Sequence, residues 1–198
     1  AFEFGEGARQ AVERDLADLE SSSEIFVGRD AEVARVLKAY GETRRKKACR
    51  VVIAGPSGIG KSAALREAIR RIETLAASRP LILHGRCYER ERVAFNALDE
   101  LVDVLTETLR TELGPEQRVA VAPKDAALLA LVFPVLKRVS PFDTLAPGSL
   151  PEDPIERKRR LFAALRELFT NLARRRNVVI ALEDLQWADA DSFAVLAE

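Results

Sequence analysis

Between Val51 and Ser62 the chain runs from a short β-branched stretch, Val51-Val52-Ile53-Ala54, into Gly55-Pro56-Ser57-Gly58-Ile59-Gly60-Lys61-Ser62 and straight on into a helical pattern. A continuous apolar run of this kind predicts a strand covered on both faces, as in a parallel sheet. The eight residues that follow fit Gly-x4-Gly-Lys-Ser, in the strand-before, helix-after context that this spacing needs. Glycines lack Cβ and accept positive φ, so the loop can turn its N–H groups into a concave nest for an anion. The N-terminus of the following helix adds partial positive charge. Lys61 can reach the β- and γ-phosphates as a mobile point charge, and the Ser62 hydroxyl can ligate a divalent cation. A nucleoside triphosphate, ATP with Mg²⁺, is therefore expected against Gly55, Pro56, Ser57, Gly58, Ile59, Gly60, Lys61 and Ser62, an arrangement known as a P-loop.

The rest of the chain repeats the alternation. Leu81-Ile82-Leu83 after Pro80 and Val178-Val179-Ile180-Ala181-Leu182 carry the same buried-strand signature, with the helix from Lys61 to about Ala77 after the first strand. Strands alternating with helices predict an α/β fold, a parallel sheet flanked by helices. Helical patterns also lie at Asp30 to Gly41, where Asp30 is expected to cap the start, near 95 to 112, and at 124 to 138. A Pro-rich loop from Pro141 to Pro154 leads to a long helix carrying Leu161, Leu165, Leu168, Phe169 and Leu172 on one face and Arg174-Arg175-Arg176 at its C-terminus, where the helix dipole favours cations. Residues 1 to 24, a weak helix and then three serines, read as a linker or the tail of an upstream domain, and 25 to 198 as one ATPase-type domain. Arg44-Arg45-Lys46-Lys47 reads as a solvated turn.

Composition narrows the classes. Thirty-one basic residues balance thirty-one acidic ones, which leaves no overall field to draw the domain to nucleic acid or to an anionic membrane. The longest apolar stretch, Ala126 to Val135, contains Pro134 and falls far short of the roughly 20 residues a bilayer needs. Two cysteines, Cys49 and Cys87, form no metal or disulfide spacing, so reduced thiols and a cytoplasmic setting are expected. Cys87 and the single histidine, His84, read as buried packing residues.

The third strand ends in Leu182-Glu183-Asp184, delivering two carboxylates to the C-terminal edge of the sheet, where open α/β sheets bind ligands. The pair resembles a Walker B motif. Position assigns Glu183, with Ser62, to the Mg²⁺ shell and Asp184 to the attacking water, with Lys61 also in a catalytic role. The usual order is Asp then Glu, and the inversion here puts fast hydrolysis in doubt.

Three further segments carry a family resemblance: Phe26-Val27-Gly28-Arg29-Asp30, Gly85-Arg86-Cys87-Tyr88-Glu89-Arg90-Glu91, and Leu185-Gln186-Trp187-Ala188-Asp189. With the two motifs above, the chain resembles the AAA+/STAND signalling ATPases with an origin-recognition-like ATPase domain, including those attached to bacterial serine/threonine kinases and to large transcriptional regulators. The resemblance implies that Val27 and Arg29 lie against the adenine, although the same residues also suit a hydrophobic staple and helix start. It implies that Trp187 packs to fix the loop after the acidic pair. It implies a strand order of fifth, first, fourth, third, second, so that a further strand would lie between Val51–Ala54 and Val178–Leu182.

Taken together, these features predict an ATP-binding, slowly hydrolysing switch module in a longer bacterial signalling or regulatory protein, cut after the acidic-pair strand. Its expected partners are ATP and other domains of the same polypeptide, with self-association through the ATPase domain also allowed. No membrane and no nucleic-acid contact is read from this segment. The alternatives are a P-loop kinase, for which no acceptor pocket can be identified, and the ATPase core of a DNA-binding initiator, for which no DNA-reading helix is present.

Overall fold

The computed structural model describes residues 28–43, 48–77, 79–89, 95–143 and 151–197. The expected linker at 1–24, Phe26 and Val27, the Arg44–Lys47 run, and Arg90 and Glu91 lie outside them. In chain order the elements are α1 (Asp30–Thr43), α2 (Lys61–Leu75), β1 (Leu81–Arg86), α3 (Asn96–Glu112), α4 (Pro115–Val121), α5 (Ala126–Val132), a 3₁₀ turn (Pro134–Arg138), α6 (Pro154–Ala173), β2 (Val178–Glu183), a second 3₁₀ turn (Leu185–Trp187) and α7 (Ala190–Ala197).

β1 and β2 pair in parallel, Leu81 opposite Val178 through to Arg86 opposite Glu183. The pairing runs one residue further, since the Cys87 amide donates to the Glu183 carbonyl at 3.1 Å. Period-2 alternation turns Leu81, Leu83 and Gly85 of β1 toward one face, and α3 packs there. Gly85 suits that packing. A Cβ at this position would lie 3.3 Å from Leu182 Cδ2 and 3.4 Å from the Leu101 backbone nitrogen, so glycine lets α3 approach the sheet closely.

The main core sits on that face, where Leu83, Leu101, Leu105, Leu129 and Phe142 are fully buried together with Leu165 and Leu168 of α6. α6 begins as its sequence directs: the Asp153 carboxylate accepts from the amides of Ile155 and Glu156 at 3.1 and 3.3 Å, and Pro154 takes the first helical position. At its other end Arg176 pairs with Glu112 of α3 at 2.6 Å.

Several local expectations are revised. The expected helix at 124 to 138 is two pieces, because Pro134 cannot donate to a continuing helix and Phe133 before it takes φ −117° and ψ 84°. α4, which opens on Pro115, did not stand out in the sequence pattern. α1 does not stop at Gly41 but runs to Thr43, and Asp30 lies inside its first turn, its carboxylate taken by Arg71 at 3.0 Å, rather than acting as the cap. The largest difference concerns Val51–Ala54. That segment forms no ladder among the described residues, and Val51 and Val52 are 45% and 76% exposed. A strand is a partnership, and the sheet described here is the two-stranded β1–β2 pair.

Candidate nucleotide-binding site

α2 starts at the end of the glycine-rich loop with Gly60 as its N-cap residue, in the left-handed region at φ 86°. Gly58 is also left-handed at φ 74°. Both conformations cost a side-chain-bearing residue dearly, which is why this turn needs glycine. No side chain caps α2 and no acidic residue sits in its first turn. Its leading amides and dipole are thus left for an anion. The loop residues Gly55, Pro56, Ser57, Gly58 and Ile59 are all exposed.

Lys61 Nζ donates to the carbonyls of Gly55 and Pro56 at 3.0 and 2.9 Å, folding the charge back over the loop. The Arg29 guanidinium donates to the carbonyl of Ile59, and its Nε lies 3.8 Å from where a Gly60 Cβ would stand. Arg29 therefore sits on the tip of the loop. Val27 lies outside the described residues.

The acidic pair arrives at the same place from β2. The Ser62 hydroxyl lies beside Glu183, close enough to help keep that carboxyl ionised, so the two oxygen groups expected to share a cation are neighbours. The hydrogen bond from His84 holds the Glu183 carboxyl down at about 2, with help from Ser62 and against a burial that pushes it up. His84 Nε2 lies 2.9 Å from Glu183 Oε1, and the carboxylate raises the imidazole in return. A hydroxyl beside an ionised carboxylate is an oxygen set suited to Mg²⁺, which takes one or two protein ligands and completes its shell with water and phosphate. Among the described residues no cluster of three or more His, Cys, Asp or Glu forms an all-protein metal cage.

Asp184 follows in a left-handed conformation, φ 55° and ψ 38°, which aspartate tolerates better than most residues. Its Oδ2 accepts from Arg86 Nε at 2.8 Å and its Oδ1 from Gln186 Nε2 at 3.1 Å. The loop beyond is pinned by Asn96, a buried side chain whose amide nitrogen donates to the Trp187 carbonyl at 3.0 Å and whose oxygen accepts from the Asp189 amide at 3.1 Å. Asp189 in turn accepts from the amides of Asp191 and Ser192 at the start of α7.

The phosphate loop, Arg29 and the acidic pair thus lie close together. A match over residues 25–198 to the model of a family described as AAA ATPase domain covers most of the chain. The chain belongs to the AAA ATPase domain family. No curated protein and no solved structure matches it. An AAA ATPase domain is a nucleotide-binding module, and the α/β architecture seen here, a small parallel sheet flanked by helices, agrees with a P-loop fold. No helix among the described residues is long and apolar enough to cross a membrane.

Two readings of single residues in this AAA ATPase domain change. Cys87 is buried as expected, but the His84 side chain is 44% exposed and hydrogen-bonded to Glu183. Trp187 is half-exposed, and Asn96 rather than the indole fixes the loop. Sequence reasoning also missed Arg86 as the partner of Asp184. The signal was present: residues 84 and 86 share the β1 face opposite Leu81 and Leu83, and in parallel register that end of β1 meets the acidic end of β2.

Proposed function

We propose that this AAA ATPase domain binds ATP with Mg²⁺ and, through slow hydrolysis, acts as a conformational switch in a multidomain cytoplasmic signalling or regulatory protein of the STAND, origin-recognition-like kind. The observation that carries the reading is the uncapped start of α2 under a Gly-x4-Gly-Lys-Ser loop, with the Glu183 carboxylate beside Ser62. On this reading the loop amides from Gly55 to Gly60 cradle the phosphates. Lys61 moves from the Gly55 and Pro56 carbonyls to the phosphate oxygens. Ser62 and Glu183 would hold Mg²⁺, which when bound neutralises charge building on the β- and γ-phosphate oxygens. Asp184 orients the attacking water. Val27 and Arg29 border the nucleotide, Arg29 from its seat on the Ile59 carbonyl. Contacts to the γ-phosphate that exist only before hydrolysis bias one of two domain arrangements, which is what a switch requires. The same surface suits contact with other domains of the polypeptide or with another copy.

The test is Lys61→Ala, which removes an exposed, mobile charge without touching the core. Calorimetry with MgATP should show affinity reduced by about 100-fold, the loss of a charged hydrogen-bond donor to phosphate, with an unchanged melting temperature. Wild-type affinity in the folded variant would remove Lys61 from the site.

A further inference from the structure

Among the described residues two residues other than glycine hold a positive φ, Phe95 at 67° and Asp184 at 55°. Such backbone is costly for a residue with a side chain and persists only where its surroundings enforce it. One side chain links the two places. Asn96, next to Phe95 and 2% exposed, donates from its amide to the Trp187 carbonyl at 3.0 Å and accepts from the Asp189 amide at 3.1 Å. The carboxamide thus pairs with residues 187 and 189 as a neighbouring strand would. Trp187 is also held from the other direction, because its own amide donates to the Asp184 carbonyl at 2.9 Å. The Leu185–Trp187 turn is therefore tied to Asp184 at one end and to α3 at the other. The base that carries Asn96 is firm. The Phe95 ring is buried, 6.1 Å from that of Phe133 and 6.2 Å from that of Phe162, and the Ala97 amide donates to the buried Ser192 hydroxyl at 3.2 Å.

We propose that Asn96 is a positioning residue for ATP hydrolysis: from the start of α3 it holds the Leu185–Trp187 turn, and through that turn it enforces the left-handed backbone from which Asp184 works on the attacking water. The inference rests on the ATPase reading above and adds the element that fixes the backbone of Asp184. The role needs a carboxamide. Its donor and acceptor, on one planar group, match the carbonyl of Trp187 and the amide of Asp189, whereas a hydroxyl offers a single atom for both and a carboxylate offers no donor. Loss of the clamp lets Asp184 relax out of the left-handed region while Gly55–Gly60, Lys61 and Ser62 keep their places. A catalytic group misplaced by about 1 Å can cost about 100-fold in rate, so turnover suffers and binding does not.

The experiment compares wild type, Asn96→Ala, Asn96→Ser and Ser192→Ala in the full chain, by calorimetry with MgATP, steady-state hydrolysis, thermal melting and emission of Trp187, the sole tryptophan. Ser192→Ala is the structural control: it removes the bonds to the Ala97 amide and to Asp189 at the same junction but leaves the contact of Asn96 with Trp187. Asn96→Ala should lower kcat about 10- to 100-fold with MgATP affinity within about twofold of wild type, and its nucleotide-free Trp187 emission should shift. Asn96→Ser, whose hydroxyl suits a helix start, should show part of the same loss, and it carries the test if Asn96→Ala fails to melt cooperatively. Ser192→Ala should melt lower, as Asn96→Ala does, yet keep kcat within about twofold. Equal kcat in the folded Asn96 variants and in Ser192→Ala overturns the proposal, because Asn96 would then serve the fold alone. Where turnover is too slow to measure, wild-type Trp187 emission in a folded Asn96 variant overturns it equally. Failure of the underlying reading is distinguishable, because wild type would then show no MgATP binding that depends on Lys61.

Discussion

On the helical side of the sheet Leu101, Leu105, Leu109 and Leu129 have no exposed surface, whereas on the phosphate-loop side Val51 and Val52 stand 45% and 76% exposed and Ile180 of β2 is 40% exposed. The two regions draw on the same residue types. What separates them is whether neighbouring elements are present to cover those residues: α3 packs on β1 and shares one core with α5 and α6, while a groove of about 160 Å³, lined by Val51, Ile53, Ile69, Ile72 and Val178–Ala181, opens between the loop segment and β2. α1 and α2 are joined over the loop side partly by the Arg71–Asp30 ion pair, with Arg71 also paired to Glu67 one turn back on α2. Exposed pairs contribute about 0–1 kcal/mol each, so the helical side carries the stability and the loop side keeps the freedom to respond to a ligand.

The largest effect should come from the helical side. Leu105→Ala removes a fully buried side chain from the centre of the core and should cost about 2–5 kcal/mol in urea or thermal unfolding. A loss below about 1 kcal/mol would mean that this region is not the rigid half.

The next effects are functional and fall on the loop side. Glu183→Gln should weaken MgATP binding about 10- to 100-fold, by removing the charge beside Ser62, while leaving binding of ATP without metal nearly unchanged. Asp184→Asn should spare binding and slow hydrolysis about 100-fold or more. Equal losses in both variants, by calorimetry and turnover, would merge the two roles assigned to the acidic pair.

A smaller effect is expected where the two regions meet. Gly85→Ala places a methyl group 3.3 Å from Leu182 Cδ2 and 3.4 Å from the Leu101 nitrogen, and it should cost about 1–3 kcal/mol by forcing α3 off the sheet. The backbone at Gly85 is not left-handed, so steric crowding is the whole cause. A neutral melting curve would show that α3 gives way easily.

How much of this was legible in the sequence follows the range of the interactions involved. The phosphate loop was readable because its demands are local: Gly58 and Gly60 must be left-handed, and Lys61 and Ser62 must open the helix. The long helix was readable from its apolar stripe, and β1 and β2 from their apolar runs. The break at Pro134 was in plain view but hidden by the apolar pattern running through it. The partners of the acidic pair were not readable, since the contacts of His84 with Glu183 and Arg86 with Asp184 depend on a register between segments almost a hundred residues apart. The state of Val51–Ala54 was beyond reach for a related reason. β-branched residues say that a segment suits a covered strand, but cover is supplied by other elements.

That last point yields the smallest predicted effect and the sharpest test of the contrast between the two sides. Val52→Thr is nearly isosteric and changes one methyl group to a hydroxyl. In a strand buried on both faces the hydroxyl would need a partner or cost about 1–3 kcal/mol. At a position 76% exposed, water solvates it, and the change in stability should stay within about 0.5 kcal/mol. The matching control is Val102→Thr on α3, which is 1% exposed; its hydroxyl can donate only to its own helix, as Thr106 does, and the lost apolar burial should still cost about 1 kcal/mol or more. If Val52→Thr instead costs as much as Val102→Thr, the loop side is covered in solution, and the groove beside Val51 and Ile53 is filled by a strand from elsewhere. A penalty that grows with protein concentration would assign that strand to a second copy, and a constant penalty would assign it to the same polypeptide.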